Sequence, residues 1–235
     1  MSDESDLYFR QLLVGEMANF AYLVGSLATR EVLVVDPAWS VDALVEHAEQ
    51  EGMRVVGALV THYHQDHIGG SLFGHEIEGI VRLKERLPDA AIHVQRHEAL
   101  GVAKVAGLAP SELVPHEGGD VIEVGGLRIR LLHTPGHTPG SQCFLVEEPG
   151  EAGKLVSGDT LFLGSCGRVD LPGSSPEQMY ESLTGTLKRL PDDTLLFPGH
   201  LYSQEPHSTM GEQKRTNPFL RVSSLDMFLR FMGVG

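Results

Sequence analysis

A length of 235 residues, 41% of them hydrophobic and 21% charged, suits one folded domain with a sizeable core. The formal net charge of −14 argues against nucleic acid or an anionic membrane as a partner, since both call for a basic surface. An acidic polar start, no apolar run near the roughly 20 residues of a membrane span, and only two cysteines, Cys143 and Cys166, lead us to expect a cytoplasmic protein without a disulfide scaffold.

The predicted elements begin with three short strands, Leu7–Val14 and residues 21–24 and 32–35, rich in β-branched and aromatic side chains. Asp36-Pro37 stops the third. In Val41–Gln50 the apolar residues Val41, Leu44, Val45 and Ala48 recur at helical spacing. Residues 55–60 are a continuous apolar run, the pattern of a buried strand. Directly after it comes Thr61-His62-Tyr63-His64-Gln65-Asp66-His67-Ile68-Gly69-Gly70. Residues 70–87 read as a helix or broken helix stopped by Pro88, residues 91–94 as a strand, and residues 97–105 as a helix ending at Gly107. Strands are predicted at Val121–Val124 and residues 127–132, 142–146 and 155–157, with Gly125-Gly126 as a hairpin turn. Ser175-Pro176-Glu177-Gln178 starts a helix reaching about residue 190, with a serine cap, a proline in the first turn and a capping-box glutamine. Residues 194–197 form another buried strand, and residues 211–232 two short helices broken near Asn217-Pro218. No linker or repeat interrupts the chain. One α/β domain over residues 1–235 is expected, with short C-terminal helices from about residue 208.

Three imidazoles and a carboxylate, His62, His64, Asp66 and His67, fall within six residues. All four are good ligands for zinc or iron at neutral pH. Three later apolar runs each lead to one more donor: His137, Asp159 and His200. Gly and Pro flank these donors and form tight turns that aim them. A lone histidine after a strand is more often a packed or surface residue than a ligand. Seven donors at four strand ends are harder to explain as packing, because burying them uncompensated is costly. There is no His-Glu-x-x-His pair. A structural zinc site closes one ion with four ligands, so seven donors on loops suggest two ions and an open site. The other histidines, His47, His75, His93, His97, His116, His133 and His207, read as surface or supporting residues. His133 is the best placed of them to support the His137 turn.

The set His62-x-His64-x-Asp66-His67, His137, Asp159 and His200 resembles the full ligand set of the metallo-β-lactamase superfamily, over nearly the whole chain. The resemblance implies an αββα sandwich with the metals at one edge. It implies that His62, His64 and His137 hold one metal, that Asp66, His67 and His200 hold a second, and that Asp159 bridges both. Thr134-Pro135-Gly136-His137-Thr138-Pro139-Gly140-Ser141, Ser157-Gly158-Asp159-Thr160-Leu161-Phe162 and Pro198-Gly199-His200 are similar to the glyoxalase II branch. So is the tail, Ser208-Thr209-Met210-Gly211-Glu212 followed by Thr216-Asn217-Pro218-Phe219-Leu220-Arg221. Ser165-Cys166-Gly167-Arg168-Val169-Asp170 is similar to a loop of the persulfide dioxygenases.

The glyoxalase II resemblance implies a hydrolase using two divalent ions, with zinc expected and iron or manganese as alternatives. A hydroxide on the metals would attack a thioester or related ester carbonyl. Asp66 would ligate, orient the nucleophile and share in proton transfer. The implied substrate is a small-molecule thioester or glutathione derivative, contacted by Arg168, Tyr202 and the Cys166 loop. Arg168 has a structural alternative, an ion pair with Asp170. Longer glyoxalase II enzymes carry further basic residues for glutathione in a C-terminal segment, whereas only Arg230 follows Arg221 here. The dioxygenase resemblance implies instead one Fe(II) on His62, His137 and Asp159, a facial triad. A lactone hydrolase would share the whole ligand set, and a homo-oligomer is compatible with all three.

Overall fold

A computed structural model describes residues 5–234, so Met1–Glu4 and Gly235 of the expected domain lie outside the described residues. The chain runs β1 (Leu7–Val14), β2 (Asn19–Ser26), β3 (Glu31–Val35), α1 (Val41–Gln50) and β4 (Arg54–Leu59) up to the histidine run. Next come α2 (Gln65–Ile68), the hairpin β5 (Gly70–Leu72) and β6 (His75–Ile77), α3 (Ile80–Arg86), β7 (Ala91–Gln95), α4 (Ala99–Ala106) and β8 (Leu113–His116). Strands β9 (Val121–Val124), β10 (Leu127–His133), β11 (Gln142–Glu147) and β12 (Lys154–Val156) are followed by the small ribbon β13 (Leu161–Phe162) and β14 (Ser165–Cys166). The chain closes with α5 (Pro176–Glu181), β15 (Leu195–Phe197), β16 (Ser208–Thr209), α6 (Met210–Thr216), α7 (Pro218–Arg221) and α8 (Leu225–Met232).

Two six-stranded sheets result, ordered β1-β2-β3-β4-β7-β8 and β16-β15-β12-β11-β10-β9. Side-chain alternation along each strand decides what faces what. Phe20, Tyr22, Val24, Leu33, Val35 and Leu59 point between the sheets, where they meet Ile129, Leu131, Phe144, Val146 and Phe197 from the second sheet. The intervening residues, Ala21, Leu23, Val32, Val34 and Ala58, point outward against α1, α3 and α4. Cys143, Leu145, Leu155 and Leu196 do the same on the other side, against Met179, Leu183, Leu220 and Phe228. Both sheets are therefore covered on both faces, which is why their strands read as near-continuous apolar runs. The layers are αββα, as the family resemblance implied. The C-terminal helices are part of the outer layer, since Phe228 of α8 is fully buried there.

Three expectations change. Residues 70–87 are not one helix: Gly69 and Gly70 have φ of 86° and 118°, which no helix tolerates, and a hairpin precedes α3. β8 escaped notice because Pro115 interrupts it. It pairs only with β7, and a proline is tolerated at such an edge. The tail holds three helices, since Ser224 caps α8 by accepting the Met227 N–H, after a break at Asn217 that the sequence did mark. The helix at Ser175 starts as expected, with Ser175 Oγ accepting the Gln178 N–H. It then loosens into a π turn over Ser182–Thr186.

Candidate metal centre

Strands β10 and β12 both run antiparallel to β11, and β15 runs parallel to β12, so the carboxyl ends of β10, β12 and β15 share one edge. The end of β4 is fastened to the same edge. Gln142 donates its backbone N–H to Thr61 O at 3.0 Å and its side-chain Nε2 to Val60 O at 2.8 Å. Loops leaving four strand ends thus converge across the gap between the sheets. Gly199 permits one close crossing: a Cβ there would stand 2.5 Å from Asp159 Oδ1.

All seven sequence-predicted donors meet at this point. His64 Nδ1 lies 3.1 Å from His62 Nε2 and 3.0 Å from His137 Nε2. His67 Nε2 lies 3.2 Å from His200 Nε2, and Asp66 Oδ2 is 3.4 Å from each of those nitrogens. Asp159 stands between the two sets. Its Oδ1 is 3.3 Å from His67 Nε2 and 3.4 Å from His200 Nε2, while its Oδ2 is 3.6 Å from His137 Nε2. The groups His62/His64/His137, His62/His67/Asp159 and Asp66/His67/His200 each bring three donor atoms close enough for one ion.

The outer ring nitrogens assign the tautomers. His67 Nδ1–H donates to Asp36 Oδ2 at 2.9 Å, His137 Nδ1–H to Arg168 O at 2.8 Å and His200 Nδ1–H to Met17 O at 3.0 Å. The Thr61 hydroxyl donates to Asp36 Oδ2 at 2.6 Å, so its oxygen accepts His62 Nδ1–H at 3.0 Å. With these nitrogens committed, the inward Nε2 atoms offer lone pairs to the centre. Lone pairs about 3 Å apart repel unless a cation lies between them. Asp159 Oδ1 is buried there and accepts no hydrogen bond. An unpaired carboxylate oxygen ringed by imidazole lone pairs fits a divalent cation and little else.

The electrostatics agree. Burial, with His67 and His64 nearby, holds His62 well below the ordinary imidazole range, and burial together with His137 lowers His64 to about 4. Both rings are therefore neutral and free to ligate. Burial opposes a charge on Asp159 and Asp66, yet the neighbouring imidazoles keep both carboxylates ionised. Burial likewise opposes a charge on His67, but Asp66, Asp159 and Asp36 raise its proton affinity well above the ordinary value.

The family model of the metallo-beta-lactamase superfamily matches residues 14–200, spanning every one of these donors. The chain belongs to that superfamily. Among its relatives is hydroxyacylglutathione hydrolase GloC of Haemophilus influenzae, 31% identical over 204 residues, covering 83% of this chain and 90% of that protein. ETHE1 from Myxococcus xanthus has a similar structure, with a TM-score of 0.80 at 30% identity, covering 96% of this chain and 90% of its own. TTHA1623, solved in a di-iron-bound form, matches with a TM-score of 0.69 at 32% identity, over 89% of this chain and 99% of its own.

Five of the donors, His64, Asp66, His137, Asp159 and His200, line an open cleft of about 410 Å³. Arg168 and Tyr202 both line it. Arg168 also makes the ion pair that the sequence allowed, with Nε and Nη2 donating to Asp170 at 2.8 and 2.9 Å. Tyr202 stacks on His200 with ring centroids 4.7 Å apart. Burial, aided by Asp159 and Asp66, raises its hydroxyl to about 12, so it remains a donor at neutral pH. Cys166 does not reach the cleft. It is 8% exposed, faces the outer core, and burial pushes its thiol up to about 12. The substrate contact expected of Cys166 is therefore not made by its side chain: the ribbon alternation turns it inward. His133 donates to or accepts from nothing in the centre, but its Nε2 lies 3.0 Å from Pro139 O, inside the turn that carries His137.

Two supporting carboxylates went unread in the sequence. Asp36 appeared only as a strand stop. Its position, an acid directly after an apolar strand, follows the same rule as the donors and was a usable signal. Glu98, 1% exposed, accepts the Tyr63 N–H at 2.8 Å, the Thr138 hydroxyl at 2.6 Å and the Gly140 N–H at 2.7 Å. It ties the His62–His67 arm to the His137 turn, and nothing in its local sequence announces that. Asn19, which donates to Asp66 Oδ2 at 2.9 Å, was equally hidden.

Proposed function

We propose that this chain is a metal-dependent hydrolase of the glyoxalase II type, acting on a small-molecule thioester or related ester. The observation that carries the reading is the placement of Asp159, with one carboxylate oxygen toward His67 and His200 and the other toward His137. That division supports a bridge between two ions, one on His62, His64 and His137 and one on Asp66, His67 and His200. The relatives named hydroxyacylglutathione hydrolase support the reaction class.

When bound, two divalent ions, zinc by our reading, supply a nucleophilic water at neutral pH and draw charge from a carbonyl oxygen. The protein does the rest. Asp36, Met17 O and Arg168 O fix the ring planes of His67, His200 and His137, so the donors need no reorganisation. Asp66 opens onto the cleft and is held by Asn19, which leaves it placed to orient the attacking water and accept its proton. A thiolate leaving group needs little protonation, so no separate general acid is required. Tyr202 offers a hydroxyl to the substrate on the His200 side.

A mononuclear iron persulfide dioxygenase is the second reading, favoured by the Ser165–Asp170 loop. We extend the proposal to one domain for the whole chain and to a cytoplasmic location; no described helix is long and apolar enough to cross a membrane. One paired measurement separates the two activities: metal content per chain, alongside hydrolysis of a glutathione thioester and oxygen uptake with glutathione persulfide. Two ions with thioester cleavage is the expected result. One iron with oxygen uptake and no cleavage would overturn the hydrolase reading.

A further inference from the structure

The hairpin after the histidine run reaches the mouth of the metal cleft. Its register pairs Leu72 with His75, leaving Phe73 and Gly74 as a two-residue turn. Their φ values are 51° and 83°, the pattern of a type I′ turn. Such turns prefer Asn-Gly, and a bulky aromatic at positive φ is an outlier that costs stability. Phe73 is nonetheless 91% exposed, so no packing in the fold compensates that strain. Both Leu72 and Phe73 line the cleft that holds Asp66, Asp159 and His200.

The rest of the rim has the same character. Met17 and Tyr202 are both exposed and line the same cleft, together with Leu171 and Pro172. The one guanidinium there, Arg168, is already engaged by Asp170 through two hydrogen bonds. The rim therefore offers apolar area and no unpaired cation to an incoming substrate.

Resting on the hydrolase reading above, we infer that Phe73 is a specificity-determining residue. It forms one wall of a subsite for an apolar acyl group, so the substrate class is a thioester or ester whose acyl part is hydrophobic. Strain at the turn is retained because the aromatic side chain, rather than the turn, is what the site uses.

The test compares the metal-loaded protein with its Phe73→Asn variant, using octanoyl and acetyl thioesters of one thiol. Octanoate and acetate serve as product-like ligands. Asparagine suits the turn, so the variant is expected to melt at the same or a higher temperature. The wild type should favour octanoyl over acetyl by at least about ten-fold in kcat/KM, and the variant should lose most of that preference. The same ten-fold preference should appear in octanoate over acetate binding and collapse in the variant. An equal chain-length preference in both proteins would overturn the inference while leaving the hydrolase reading standing. If neither thioester is cleaved, the hydrolase reading fails, and the octanoate-to-acetate binding ratio alone decides the subsite. A variant that melts earlier and loses its metal would make Phe73 a structural residue and equally overturn the inference.

Discussion

Asp36 never touches the centre of the site, yet its replacement by asparagine should be felt throughout. It is buried at the end of β3, where Oδ2 accepts the Thr61 hydroxyl at 2.6 Å and His67 Nδ1–H at 2.9 Å, and Oδ1 accepts the Thr61 N–H at 2.8 Å. Asparagine preserves the shape but turns one acceptor into a donor. Whichever way the amide sits, its NH₂ faces at least one N–H or O–H that has no other partner. The loss is one hydrogen bond to a charged group, about 1.5–3 kcal/mol. For a chain of this size that lowers Tm by about 3–12 °C. His67 also loses the carboxylate that fixes its tautomer, an effect typically of about 10–100-fold on metal affinity. Competition against a chromophoric chelator should show one ion of the Asp36→Asn variant released at about ten-fold lower chelator, with a smaller change in the other. Thr61→Val separates the two arms. It removes the acceptor of His62 Nδ1–H but leaves the Asp36–His67 contact, so the other ion should weaken instead. An Asp36→Asn protein that holds both ions with wild-type affinity would refute this account of how the donors are held.

Asp159→Ala is expected to leave no more than one ion per chain and to abolish turnover; two ions by elemental analysis with activity retained would remove the bridge. Glu98→Gln replaces one of two acceptor oxygens that together serve three donors, and should cost about 2–3 kcal/mol in denaturant titrations; an unchanged midpoint would show that the two loops are held without it. His93, half-buried beside His116, is lowered from 6.5 to about 4 by burial and then by His116. Its folded value lies below its unfolded one, so the native state binds fewer protons between those limits and stability falls as pH drops through the window. The contribution is about 2 kcal/mol after allowing for partial exposure. His93→Gln should flatten that slope of Tm against pH between 6.5 and 4, and an identical slope would assign the acid sensitivity elsewhere.

An α/β domain was legible because strands covered on both faces leave a near-continuous apolar signature, as in Val32–Val35 and Leu155–Val156; the αββα layering came only from the family resemblance of the donor motifs. The seven candidate donors were legible because four crowd into His62–His67 directly after one such strand, and the other three, His137, Asp159 and His200, each follow a strand and a glycine. The hairpin at Gly70–Ile77 was not, because its apolar spacing suits a helix and the positive φ at Gly69, Gly70, Phe73 and Gly74 is what rules one out. Backbone sign is not written in the letters when glycine permits either. Arg168 illustrates a different limit. Its charge and the alternative of an ion pair with Asp170 were both readable, but the letters did not decide between substrate and Asp170, which takes both arms of the fork. Cys166 fails for a third reason: in a two-residue ribbon, one step of register decides whether a side chain meets substrate or core.

The supporting residues explain why the centre can hold so many like-acting donors at all. Five imidazoles and two carboxylates turn their donor atoms toward one small space, so the arrangement must be imposed from outside. Asp36 imposes it on both arms at once, directly through His67 and through Thr61 on His62. Glu98 fixes the distance between the first arm and the His137 turn, and Gln142 ties that turn to the end of β4. Each of these buried polar groups sits where the two sheets meet, on backbone that the apolar cores already hold rigid. The strain of gathering the donors is therefore carried by the sandwich edge, and metal binding relieves it instead of having to create the site.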